Sequence, residues 1–207
     1  MDSIFYVIVL IMSVVVHEVS HGFMAERFGD HTARHAGRLS MNPIHHLDPF
    51  GSILLPGLLI LSHSSVLFGW AKPVPYNPDN LSDRKWGTIA VASAGVLANF
   101  FIAFVFGLVI RLIPSLGLSA DTVDSLYFIT SVITITNLAL GVFNLVPIPP
   151  LDGSRILFAL LPKSFWQIEE FIESYALIFL IIFILFFSGY ILPIVSFLFT
   201  LFTGLPI

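Results

Sequence analysis

Two histidines and a glutamate stand together in His17-Glu18-Val19-Ser20-His21. Histidines four apart on a helix share one face, a turn apart, so their ring nitrogens can converge on one cation. Glu18 points to the neighbouring side, where a carboxylate can take a proton from water instead of binding the ion. This is the H-E-x-x-H pattern of zinc hydrolases. The competing possibility is a histidine pair hydrogen-bonded inside a helix bundle. The setting weighs against it: the motif lies in an apolar run from Ile4 to about Phe23. Ionisable side chains there are costly and mark functional positions.

Two histidines leave a zinc site short of a ligand, and the chain has no cysteine. Any further donor must be a histidine or a carboxylate. Asp152 is the best-placed carboxylate, at the end of a later apolar segment, although an aspartate before a glycine is often only a turn residue. His45, His46 and Asp48 could also bind metal, yet loop histidines are more often surface residues. His31, His35 and His63 carry less weight still. Asn99, inside another apolar segment, can hydrogen-bond across a helix bundle, which is foremost a structural role.

The elements that must hold these residues are membrane spans. Of 207 residues, 57% are hydrophobic and 11% charged, and the mean hydropathy is +0.95. A soluble domain carries about 25% charged residues. The expectation is an all-α polytopic membrane protein with about four to six transmembrane helices and re-entrant or extended elements near the active site. It reads as a single domain, 1–207, with a core over about 4–162 and a C-terminal apolar region over about 168–207. No basic patch suggests nucleic-acid binding.

The first span reads as Ile4 to about Arg27. It lacks a basic leader, so it is not a cleavable signal peptide. Arg27, Arg34 and Arg38 follow it, which places the N-terminus outside and His21 in the cytoplasmic half of the bilayer. Later spans fall at roughly Trp86 to Ile113 and Leu126 to Val146. Parity brings Asp152 back to the side of His21 only if Phe50 to Trp70 does not fully cross. That stretch is therefore expected to dip in and return, lining protein or a wet cavity. Pro147, Pro149 and Pro150 should stop the third span and force an extended run before Asp152. A short helix follows to Leu161. The piece from Tyr190 to Ile207 is open between a span, a re-entrant piece and an interfacial helix.

Together these pieces resemble the site-2 protease family of intramembrane zinc metalloproteases, in its compact form without a PDZ domain. The resemblance rests on His17-Glu18-Val19-Ser20-His21, Asn42-Pro43…Asp48, Gly69-Trp70-Ala71-Lys72-Pro73-Val74-Pro75, Gly95…Asn99 and Asn144…Leu151-Asp152-Gly153. It runs in order from about Val14 to Arg155. Val96 departs from it, since the family often has proline after that glycine.

The resemblance implies that His17, His21 and Asp152 hold one Zn2+ per chain and that Glu18 is the catalytic base. It implies that Asn144 helps to bind substrate or to stabilise the developing oxyanion. It also implies that Gly69, Trp70, Ala71, Lys72 and Pro73 form an edge receiving unwound substrate, a role suited to strand addition. The expected function is hydrolysis of a peptide bond in or near a transmembrane segment of a membrane-protein substrate, that is, regulated intramembrane proteolysis. The expected place is a prokaryotic cell (inner) membrane, with the lipid bilayer as partner and the site toward the cytoplasm. The alternative from another class is a transporter or metal-permeation protein using the buried histidines; no inverted repeat supports it.

Overall fold

A computed structural model describes residues 2–48, 54, 58 and 72–206. The expectation for Phe50 to Trp70 lies, but for two isolated positions, outside the described residues. The first helix, α1, runs Asp2–Arg27 without a proline. It stops at Gly29, whose φ of 98° suits a residue without Cβ. There the N–H of Asp30 turns back to Ala25 O at 3.0 Å, satisfying a carbonyl that the helix end leaves open. A single turn, α2 at Thr32–His35, follows.

After the non-helical run 72–77, the long helix α3 spans Arg84–Leu112. Its N-cap is Asp83, whose Oδ1 accepts the Trp86 N–H at 2.8 Å. Its 29 residues reach roughly 43 Å at the α-helical rise, more than the ~30 Å hydrocarbon layer. It continues unbroken through Val96, so the missing proline leaves the helix regular. One row of α3 is buried at every fourth position: Gly87, Val91, Gly95, Asn99, Ala103 and Gly107. Four of these six are glycine or alanine, which lets other backbones come close.

Helix α4 spans Ala120–Asn144. The proline run after it is not extended. It winds through tight turns, with Ile148 N–H to Val146 O at 2.8 Å and Leu151 N–H to Ile148 O at 3.0 Å; the Pro149–Pro150 bond is cis. The chain then enters α5, Asp152–Leu160, which starts at Asp152 itself. Pro162 lies just beyond its end. Helices α6 (Trp166–Ser174), α7 (Ala176–Phe186) and α8 (Ile191–Thr203) complete the fold.

Helices α1, α3 and α4 are long and apolar enough to cross a membrane. The pair α7 and α8, bent by 59°, makes a fourth candidate if counted as one broken span, the lower end of the expected range. Among the described residues there is no β-strand. The core lies where α3, α4 and α8 meet, around Ala103, Ile110, Leu138, Val142, Val195 and Phe199. Arg111 ties α8 to α3, donating to Phe202 O at 2.7 Å, where a cation suits a helix C-terminus. Large apolar side chains such as Leu97, Phe101, Leu177 and Phe197 face outward. In water they would be a liability; in lipid they are the solvated surface. The chain is an integral membrane protein.

Candidate metal centre

His17 and His21 lie one turn apart on α1, both buried, with ring centroids 4.5 Å apart. The first residue of α5 meets them: Asp152 Oδ2 lies 3.0 Å from His17 Nε2 and 3.3 Å from His21 Nε2. Gly153 lets the start of α5 pack against the end of α4 and the turn after it. A Cβ there would sit 2.1 Å from Leu145 O, a main-chain atom. Gly95 lets α3 approach the histidines, because its Cβ would fall 2.6 Å from His21 Cε1 and 2.7 Å from His17 Cε1.

The outer ring nitrogens decide what the inner ones can do. His21 Nδ1 is 2.7 Å from Val91 O. A carbonyl only accepts, so Nδ1 carries a proton, and in the neutral ring Nε2 is bare. His17 Nδ1 donates in the same way to Asn99 Oδ1 at 2.6 Å. Two bare nitrogens thus face one carboxylate oxygen. That oxygen, Asp152 Oδ2, is buried and has no hydrogen-bond donor. Three acceptors converging without a proton between them repel one another, and a cation relieves all three. The ligand atoms lie within 4.8 Å of one another. Two imidazoles and a carboxylate suit zinc and leave a coordination position for a reactant. The Nδ1 bonds to Asn99 and Val91 are the outer contacts that orient metal-binding histidines. The residues present fit a zinc ion.

Glu18 is half-buried beside this group, and its Oε2 accepts the main-chain N–H of Val74 at 2.8 Å. The run carrying Val74 is fastened along its length. Lys72 N–H donates to His46 O at 2.9 Å. Arg38 Nη2 donates to Lys72 O at 2.6 Å and to Pro73 O at 3.3 Å. Farther on, the buried carboxylate of Asp30 accepts Asn77 N–H at 2.7 Å and Asn80 Nδ2 at 2.9 Å. Burial pushes the Asp30 carboxyl up, but hydrogen bonds from Thr32, Asn80 and the main chain of Asn77 outweigh it and hold the group below its ordinary range.

The structure therefore brings His17, His21 and Asp152 together, with Glu18 alongside. Asn144 ends α4 with its carboxamide turned back on its own helix, donating to Leu140 O at 2.9 Å. Lys72 and Pro73 are exposed; Gly69, Trp70 and Ala71 lie outside the described residues. His45, His46 and Asp48 do not belong to the metal-competent group. His46 is buried with Nε2 on Ser40 O at 2.7 Å, a main-chain support. His31 pairs with Glu26 at 3.4 Å. Asn99 does bond across the bundle, as its place in an apolar span suggests; its partners are the ring of His17, Ser13 O and the side chain of Asn137. Sequence reasoning misses Asn137, Ser13 and Arg38. For the first two, the available signal is a polar side chain inside an apolar span.

A buried two-histidine, one-carboxylate centre with an adjacent glutamate, held among membrane-spanning helices, defines a membrane metallohydrolase. The sequence model of peptidase family M50 matches residues 5–187. The chain belongs to this family, the site-2 proteases, and is a zinc metalloprotease. It is 37% identical over 191 residues to the "Putative zinc metalloprotease YwhC" of Bacillus subtilis (strain 168), covering 91% of this chain and 84% of that protein. It is 27% identical over 172 residues to "Zinc metalloprotease MJ0392" of Methanocaldococcus jannaschii, covering 82% of this chain and 39% of that protein. No solved structure matches the chain significantly. Family membership favours the hydrolase over the metal-permeation alternative.

Proposed function

We propose that this protease cuts a peptide bond in or near a transmembrane segment of a membrane-protein substrate, using one zinc ion per chain held by His17, His21 and Asp152. The observation that carries the reading is the buried, donorless Oδ2 of Asp152 facing two bare imidazole nitrogens. It sits among helices fit to span a bilayer. When bound, zinc supplies Lewis acidity to the scissile carbonyl and to water.

The chain's own groups do the rest. Glu18 takes the proton of the attacking water on its carboxylate and delivers it to the leaving amine. Asn144, by turning off Leu140 O, offers its amide N–H to the developing oxyanion. The stretch from Gly69 to Pro73 receives substrate unwound from its helix, since a helical peptide bond is hidden in its own hydrogen bonds. A cleft of about 1250 Å³, lined in part by Tyr76, Arg84, Thr88, Arg155, Glu169 and Glu173, borders α5 one turn beyond Asp152. Arg27 at the end of α1 and Arg34 and Arg38 after it support a site toward the cytoplasm of a prokaryotic inner membrane.

The test is metal analysis of detergent-purified protein together with cleavage of a model transmembrane peptide. Wild type should carry one zinc and cut. Glu18→Gln should carry one zinc and lose cleavage by roughly a hundredfold or more. A fully active Glu18→Gln protein would remove Glu18 from the mechanism.

A further inference from the structure

Three polar side chains meet deep among the spans: Ser13 on α1, Asn99 on α3 and Asn137 on α4, respectively 4%, 0% and 1% exposed. In hydrocarbon each must find partners within the protein. A carboxamide has a donor end and an acceptor end of nearly equal shape, so its orientation follows from its neighbours.

The main chain supplies fixed points at both ends. Asn137 lies 2.9 Å from Ile133 O, which only accepts, so the amide nitrogen points there; the same nitrogen reaches Ser13 Oγ at 2.9 Å. Asn137 Oδ1 is left facing Asn99 at 2.8 Å, and Asn99 must present its nitrogen to it. That nitrogen also lies 3.3 Å from Ser13 O, another pure acceptor. Asn99 Oδ1 is then the atom turned to His17 Nδ1. A neutral imidazole has one proton, and this contact holds it on Nδ1.

We propose that Asn137, which touches neither histidine, is a positioning residue that fixes the His17 proton on Nδ1 through Asn99 and so keeps Nε2 bare for the metal. The proposal rests on His17 being a zinc ligand. His21 provides the contrast. Its proton is held by a single bond to the main-chain oxygen of Val91, which no substitution of a side chain removes. The same tautomer is thus secured by one main-chain bond at one histidine and, at the other, by a side-chain relay across three helices that ends on the main-chain oxygens of Ser13 and Ile133.

Zinc-free, detergent-purified full chain labelled with 15N-histidine reads the tautomer directly, and chelator competition reads zinc affinity. In wild type, His17 and His21 should both be protonated at Nδ1. In Asn137→Leu, His17 should become a tautomer mixture while His21 stays fixed, and zinc binding should weaken roughly tenfold. Asn137→Asp still offers an acceptor to Asn99 and, when protonated, a donor to Ile133 O. It should keep the wild-type tautomer and affinity. A leucine variant with unchanged His17 overturns the proposal, as does an aspartate variant that behaves like leucine. If Asn137→Leu does not fold, Asn137→Ala reads the same two quantities. A wild type that binds no zinc sinks the metal assignment, and the tautomer comparison still decides the relay.

Discussion

The Glu18 carboxylate is held by the N–H of Val74, at 2.8 Å. Pro73 and Pro75 flank that residue and have no N–H of their own. Lys72 has spent its N–H on His46 O. The donors of 72–75 are therefore both engaged, and a substrate strand can take one at Val74 only by displacing Glu18. Replacing Val74 by its α-hydroxy acid swaps the N–H for an ester oxygen and keeps the side chain. Cleavage should fall roughly tenfold or more, the scale of a bond to a charged group, with zinc content unchanged. Unaltered turnover would show that this bond does not orient the base.

Removing the third ligand should remove the metal. Asp152→Ala leaves two buried imidazole nitrogens with no anionic partner, and zinc per chain should fall well below that of wild type on dialysis. Full zinc occupancy in this variant would move the missing ligand to His45, His46 or Asp48.

Close approach of α3 is a separate requirement. In Gly95→Ala the added Cβ meets both imidazoles at 2.6 to 2.7 Å. The rings cannot retreat without breaking the bonds to Asn99 and Val91. Overpacking of this kind costs about 1–3 kcal/mol, so thermal denaturation should show a less stable protein with weaker zinc binding.

The site is legible in sequence where chemistry demands rare residues, and illegible where geometry does the selecting. His17, Glu18 and His21 announce themselves because three polar groups in an apolar run cost too much to persist without a use. Asp152 is suggested by the missing donor and by its place at a span end. Span boundaries differ by a few residues: α3 begins at Arg84 and α4 at Ala120. Polar residues such as Asp121 and Thr122 stay helical in the turns outside the apolar stretch. Between Val146 and Leu151 three prolines suggest an extended run, whereas main-chain bonds inside it impose turns. Arg38 carries no such signal, and Asn137, though a polar side chain in an apolar span, has nothing local to say which element it will meet.

Oxyanion assistance is testable apart from metal binding. Asn144→Ala should cut turnover roughly a hundredfold, the usual loss of one such donor, with zinc stoichiometry intact. Equal turnover would remove Asn144 from the reaction and leave it as the end of α4.

Acid should loosen the anchoring of 72–80 through Asp30. The carboxyl titrates below its ordinary 3.8 in the fold. Its stabilising contribution is therefore complete above the unfolded value and is lost as pH falls through the folded one. Asp30→Asn should be less stable at neutral pH and show a flatter acid limb in denaturation followed against pH. Parallel acid limbs would exclude this carboxylate as a source of acid sensitivity.

The candidate ligands of the centre come from positions 17, 21 and 152, so more than half the chain separates the first from the last. A ribosome must deliver α5 to the bilayer before any coordination sphere can close. On the proposed ligand set, the nascent enzyme is inert until that helix arrives, and its neighbours at the site of insertion are safe from it.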